Sequence, residues 1–113
     1  MDKLDRYREI IIELLEPFTK LKYANADIQN EIVCDRESDR YLVMSAGWYK
    51  NRLKRIHGCL IHLDIIDGKV WVQRDGTEYG IANDLVEAGI PKEEIVLGFH
   101  EPSARKHTGF AVA

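Results

Sequence analysis

Four histidines, two cysteines and two short basic runs are the residues of this chain whose types lend themselves to chemistry. The histidines are His57, His62, His100 and His107. A metal needs two or three convergent ligands, and no helical H-E-x-x-H spacing is present. On a regular strand His57 and His62 point to opposite faces, so they cannot share an ion. His62 and Asp64 do share a face, beside Trp71 and Gln73 across a turn. An imidazole oriented by a carboxylate is the arrangement of a general base. No nucleophile accompanies it, so His62, Asp64, Trp71 and Gln73 read as a polar contact surface for another protein. No catalytic residue, metal or cofactor is expected.

The first basic run is Lys50-Asn51-Arg52-Leu53-Lys54-Arg55, directly after Trp48 and Tyr49. The second is Arg105-Lys106-His107. Cations beside aromatics suit phosphate contact and base stacking. Lys50, Arg52, Lys54, Arg55, Arg105 and Lys106 are therefore the nucleic-acid candidates, provided that the two runs converge. The formal charge is -3, which excludes a protein that coats nucleic acid by bulk positive charge. Any DNA contact is expected to be local, weak or indirect. Cys34 and Cys59 stand among apolar residues outside any C-x-x-C pair and read as buried, reduced core thiols. With no signal-peptide pattern and no apolar run near the ~20 residues of a membrane span, a cytoplasmic protein without membrane contact is expected.

The elements that must position these side chains follow from periodicity. Leu4, Tyr7, Ile11, Leu14, Leu15 and Phe18 recur at helical spacing, with Asp2 as cap and Pro17 as the point where the helix ends or kinks. Four strands follow, over about 28–35, 40–50, 55–66 and 69–75. Ile28, Ile32 and Cys34 share one face of the first. Asp67-Gly68 predicts a two-residue type I′ turn, because both central residues need positive φ. That turn pairs Ile66 with Lys69, Ile65 with Val70, Asp64 with Trp71, Leu63 with Val72 and His62 with Gln73. It assigns Cys59, Ile61, Leu63, Ile65, Val70 and Val72 to a core face. Leu60, His62, Asp64, Ile66, Trp71 and Gln73 fall on the other. A second helix is expected over about 78–88, capped by Thr77 and closed by Gly89. The apolar run Ile95 to Phe99 is either a continuing helix or a short edge strand. Phe110, with Ala111 and Val112, docks on the body or on a partner. The whole is one α+β domain over residues 1–113. Its N-terminal helix and its C-terminal helix or helices pack on one face of a four-stranded antiparallel meander, leaving the second face open.

Several stretches carry a specific resemblance. They are Asp2-Lys3-Leu4, Arg55-Ile56-His57-Gly58-Cys59, His62-Leu63-Asp64-Ile65, and Asp67-Gly68-Lys69-Val70-Trp71-Val72-Gln73. Others are Asp75-Gly76-Thr77-Glu78, the run from Gly80 to Pro91, Ile95 to His100, and Phe110-Ala111-Val112-Ala113. Together they resemble the XisI family, typical of cyanobacteria, over essentially the whole chain. The resemblance implies a regulatory role in programmed excision of a DNA element, the fdxN element, during heterocyst development. It implies action beside a XisH-like partner protein and not as the recombinase. It supplies no catalytic residues. A homodimer is also expected, through the mixed sheet face or the tail around Phe110.

Overall fold

The structure, a computed structural model, describes residues 2–50 and 53–113. Helix α1 spans Lys3–Leu15. It starts where the Asp2 carboxylate accepts the Asp5 N–H at 2.8 Å, satisfying one of the donors that the first turn leaves free. Pro17 ends it as expected, and the chain tightens into a 3-10 turn over Glu16–Lys20. Strands β1 (Ala26–Asp35), β2 (Arg40–Tyr49), β3 (Arg55–Ile66) and β4 (Lys69–Asp75) form the antiparallel meander. The sheet does not stop there. A fifth strand, β5 (Ile95–Leu97), lies parallel to β4 at the far edge, giving the order β1-β2-β3-β4-β5. Ile95 to Phe99 is thus an edge strand and its exit, and the four-stranded expectation is corrected to a mixed sheet of five. Helix α2 (Ile81–Glu87) makes the crossover that a parallel pair requires.

One hydrophobic core lies between the sheet and the two helices. Tyr7, Ile11 and Leu15 of α1 and Ile81, Ala82 and Leu85 of α2 meet Tyr41, Val43, Ile61, Leu63, Val70 and Val72. Asp67 and Gly68 both have positive φ (50° and 80°), as the type I′ turn demands, and the pairing from Ile66–Lys69 to Leu63–Val72 follows it.

Beyond Leu63 the register slips, and the sequence reading needs correcting there. Gln73 is an extra residue on β4, so His62 pairs with Arg74 and not with Gln73. Leu60 is an extra residue on β3, between the Val43–Ile61 and Met44–Cys59 pairs. Each bulge inserts one residue and reverses the alternation beyond it. Leu60 consequently packs on the core, while Cys59 pairs with Met44 on the opposite face. The same reversal puts His57 on the face of His62. Among the described residues no three or more His, Cys, Asp or Glu converge as a metal site. Cys34, at the end of edge strand β1 beside the polar turn, is exposed rather than buried.

The Gln73 bulge also shapes α2. It turns Asp75 toward the helix side, where one oxygen accepts the Ile81 N–H at 2.7 Å and the other accepts the Thr77 N–H and hydroxyl. The helix therefore starts at Ile81, later than expected. Its N-cap is Gly80, and Asp75 takes the role foreseen for Thr77. Among the described residues no helix is long and apolar enough to cross a membrane.

Candidate partner-binding face

The β4 end of the sheet gathers the residues that the sequence singled out. Asp64 is buried although it points away from the core. Its carboxylate accepts a hydrogen bond from His62 Nε2 at 2.8 Å and one from Gln73 Nε2 at 3.2 Å. A buried carboxylate is tolerable only with such donors. The bulge at Gln73 helps by keeping that side chain on the His62 face.

The C-terminal segment lies against Trp71 and Gln73 of β4. Gly98 passes so close to β4 that a Cβ there would lie 2.7 Å from Gln73 Oε1 and 3.0 Å from Trp71 Cε3. Arg105 then stacks over the Trp71 ring, 5.1 Å from its centroid. Its guanidinium donates to the carbonyls of His100 at 3.1 Å, Gly98 at 3.3 Å and Val112 at 3.5 Å. The chain end is also tied to the edge of β5, because the Ala111 N–H donates to Ile95 O at 2.9 Å. Phe110 is half-buried against the core, with Lys92 Nζ 5.6 Å from its ring centroid. So the second face is closed over β4, β5 and the Asp64 end of β3, and open over β1, β2 and the rest of β3.

The two basic runs do not meet. Arg55 stacks on Trp48, 5.3 Å from its ring, and begins β3. Arg105 sits on Trp71, opposite Asp64 near the far end of that strand. At about 3.3 Å per residue the two stacked pairs stand roughly 25–30 Å apart. Lys54 and Lys106 are exposed, and Lys50 Nζ lies 3.7 Å from the Asp27 carboxylate. Arg52 lies outside the described residues. The convergence on which the phosphate reading depends is not found.

The His62–Asp64 pair stands apart from two surface concavities. An open groove of about 770 Å³ at the β1 edge is lined by Lys20, Tyr23, Asp27 and Lys50, among others. A smaller concavity of about 290 Å³ is bordered by Tyr23, His57, Cys59 and Arg74. His62, Asp64 and Trp71 line neither. Partial burial pushes the Cys59 thiol above its usual range, which lowers the thiolate fraction that nucleophilic chemistry needs. Sequence reasoning missed Gly98 and Arg105 as partners of Trp71. A glycine between Leu97 and Phe99 was the one available signal, and it carried no address.

The family model described as XisI protein matches residues 1–112. The chain belongs to the XisI family. Among solved structures, a XisI-like protein from Anabaena variabilis ATCC 29413 shares 36% identity and superimposes with a TM-score of 0.84. The match covers 97% of this chain and 99% of that one. The fdxN element excision controlling factor XisI from the same organism shares 35% identity with a TM-score of 0.82, over 99% and 100% of the two chains. No curated protein matches the chain. The mixed five-stranded sheet with its helices on one side is thus a fold that the chain shares with these two solved proteins.

Proposed function

We propose that this chain is a cytoplasmic accessory factor that controls site-specific excision of a DNA element through protein contacts. It acts beside a XisH-like protein and is not itself the recombinase. The observation that carries this reading is the match, over 99% of the chain, to fdxN element excision controlling factor XisI. The site chemistry is compatible with it. The Asp64 carboxylate is held by one donor on each oxygen and lines neither of the two concavities, which suits a rigid contact surface better than a reaction centre. The partner surface of this reading is the rim where His62, Gln73, Trp71 and the tail residues Arg105 and Lys106 come together. DNA contact is indirect, through the partner.

Co-expression with a tagged XisH-like protein tests the proposal. The wild-type chain is expected to co-purify in a fixed ratio. Trp71→Ala, which removes the platform under Arg105, is expected to weaken capture at least tenfold with its circular dichroism retained. No co-purification, or full capture by a folded Trp71→Ala chain, refutes the reading. The Trp48–Arg55 stack keeps one other reading open, a local single-strand contact with Lys50 and Lys54. It requires salt-sensitive DNA binding by the isolated chain at about 50 mM salt, where phosphate contacts are strongest.

A further inference from the structure

The outer face of β2 breaks the rule for a sheet that packs helices on one side. Such sheets turn polar residues outward. In β2, Tyr41 and Val43 point into the core, and Leu42, Met44, Ala46 and Trp48 point the other way. Val33 of β1 pairs with Leu42 and widens the stripe. Trp48 is 48% exposed and Val33 49%. The helices occupy the opposite face, and the tail covers only the β4 side. The flanks of the stripe differ in charge. β1 carries Asp27, Gln29 and Glu31 on this face. β3 carries Arg55 and His57, and Arg74 reaches alongside to donate to the Cys59 carbonyl at 3.0 Å.

We propose that this face binds a second copy of the same chain, sheet against sheet, about a two-fold axis running along β2. Such an axis lays β2 on β2 and brings β1 of one copy over β3 of the other at equal height. The register then names the contacts. Asp27, Trp48 and Arg55 form one row, Gln29, Ala46 and His57 the next, and Glu31, Met44 and Cys59 a third. Asp27 therefore meets Arg55 of the partner subunit. Glu31 meets Cys59 of the partner subunit and the Arg74 side chain bonded beside it. Each contact occurs twice, and Met44 and Ala46 meet their own copies at the axis. A two-fold axis across the strands would instead set β1 on β1, with Glu31 against its own copy and Asp27 against Asp35. Charge selects the first arrangement. Packed sheets stand about 10 Å apart, which a flexible methionine beside a small alanine can fill. Three strands at ~4.8 Å spacing over about eight residues give a face of roughly 25 by 14 Å, the size of a weak, reversible dimer. This inference holds whatever process the protein controls.

Sedimentation velocity over about 1–100 μM, the range suited to a small interface, tests it. The wild-type chain is expected to dimerise reversibly. Asp27→Lys/Glu31→Lys and Arg55→Glu/Arg74→Glu are each expected to sediment as monomers. Mixed one to one they are expected to form a heterodimer, because one rim contact is reversed on both sides and the other is native on both. Met44→Arg is expected to be monomeric alone and with wild type. Circular dichroism checks folding, and single Glu31→Lys and Arg74→Glu variants stand in for a double variant that fails it. A wild-type monomer at every concentration overturns the proposal. So do charge-reversed variants that dimerise alone like wild type, or a mixture that stays monomeric.

Discussion

Replacing Asn30 with leucine tests how the 3-10 turn is held to the sheet. Asn30 is a buried polar residue on the helix-facing side of β1, in a row with Ile28 and Ile32. Its amide nitrogen donates to Phe18 O and to Tyr23 Oη, both at 2.9 Å, and its amide oxygen accepts the Ser45 hydroxyl at 2.6 Å. Each neutral bond contributes about 1 kcal/mol net, and a partner left unpaired in a dry site costs about 1–3 kcal/mol. Leucine is close in size, so the cavity cost is small and the loss is that of the network. The structure thus predicts a destabilisation of about 2–4 kcal/mol. With a urea m-value of about 1.5 kcal/mol/M for a chain of this size, the unfolding midpoint falls by roughly 2 M. Ser45→Ala alone is expected to cost about 1 kcal/mol, and the double variant less than the sum, because both remove the same bond. Urea unfolding followed by circular dichroism reads all three. An Asn30→Leu chain as stable as wild type, or costs that add fully, would show that the turn packs without this network and would sink the argument.

Two further outcomes follow from named contacts. The Arg8 guanidinium grips Asp39 at 2.7 and 3.0 Å, and Tyr41 donates to the same carboxylate; the Arg8 bond foremost holds the Asp39 carboxyl below its usual range. That stability is present above about pH 4 and is lost as pH falls through the depressed value. Asp39→Asn, which tolerates the positive φ of 53° at this position, is therefore expected to be less stable than wild type at neutral pH. Urea titrations at descending pH should show the gap narrowing below pH 4, and a constant gap contradicts the assignment. Gly98→Val places side-chain atoms where Trp71 and Gln73 stand, so the tail must lift. Hydrogen exchange at the Ala111 amide is expected to accelerate at least tenfold with the α1 core still protected, and unchanged protection at Ala111 refutes the clasp.

Local chemistry made most of this fold legible. The α1 stripe, the Pro17 stop, the Asp67-Gly68 turn and the Gly89 helix end each rest on a backbone rule that acts over a few residues. Asn30 was illegible because a strand residue's polarity says nothing about which partners fold over it. Leu60 and Gln73 were illegible because a bulge leaves no mark in a hydrophobic pattern. Counting by twos from the turn fails at the first inserted residue, and Cys59, Leu60 and His57 were misassigned for that reason alone. The contact candidates fared unevenly. His62, Asp64 and Gln73 do form one hydrogen-bonded cluster beside Trp71. The basic runs are separated by the length of a strand.

The sequence by itself determined the elements, the antiparallel meander and the family. These depend on side-chain periodicity, turn chemistry and residue order, all written in the chain. Tertiary structure alone decided how the second sheet face is divided. Closing β5 against β4 brings Gly98 and Arg105 onto Trp71, and that contact joins residues far apart in sequence. It covers the β4 side of the face and leaves the β2 stripe half-exposed between an acidic and a basic strand. No local rule anticipates that division, because it arises only when the chain end returns to the sheet.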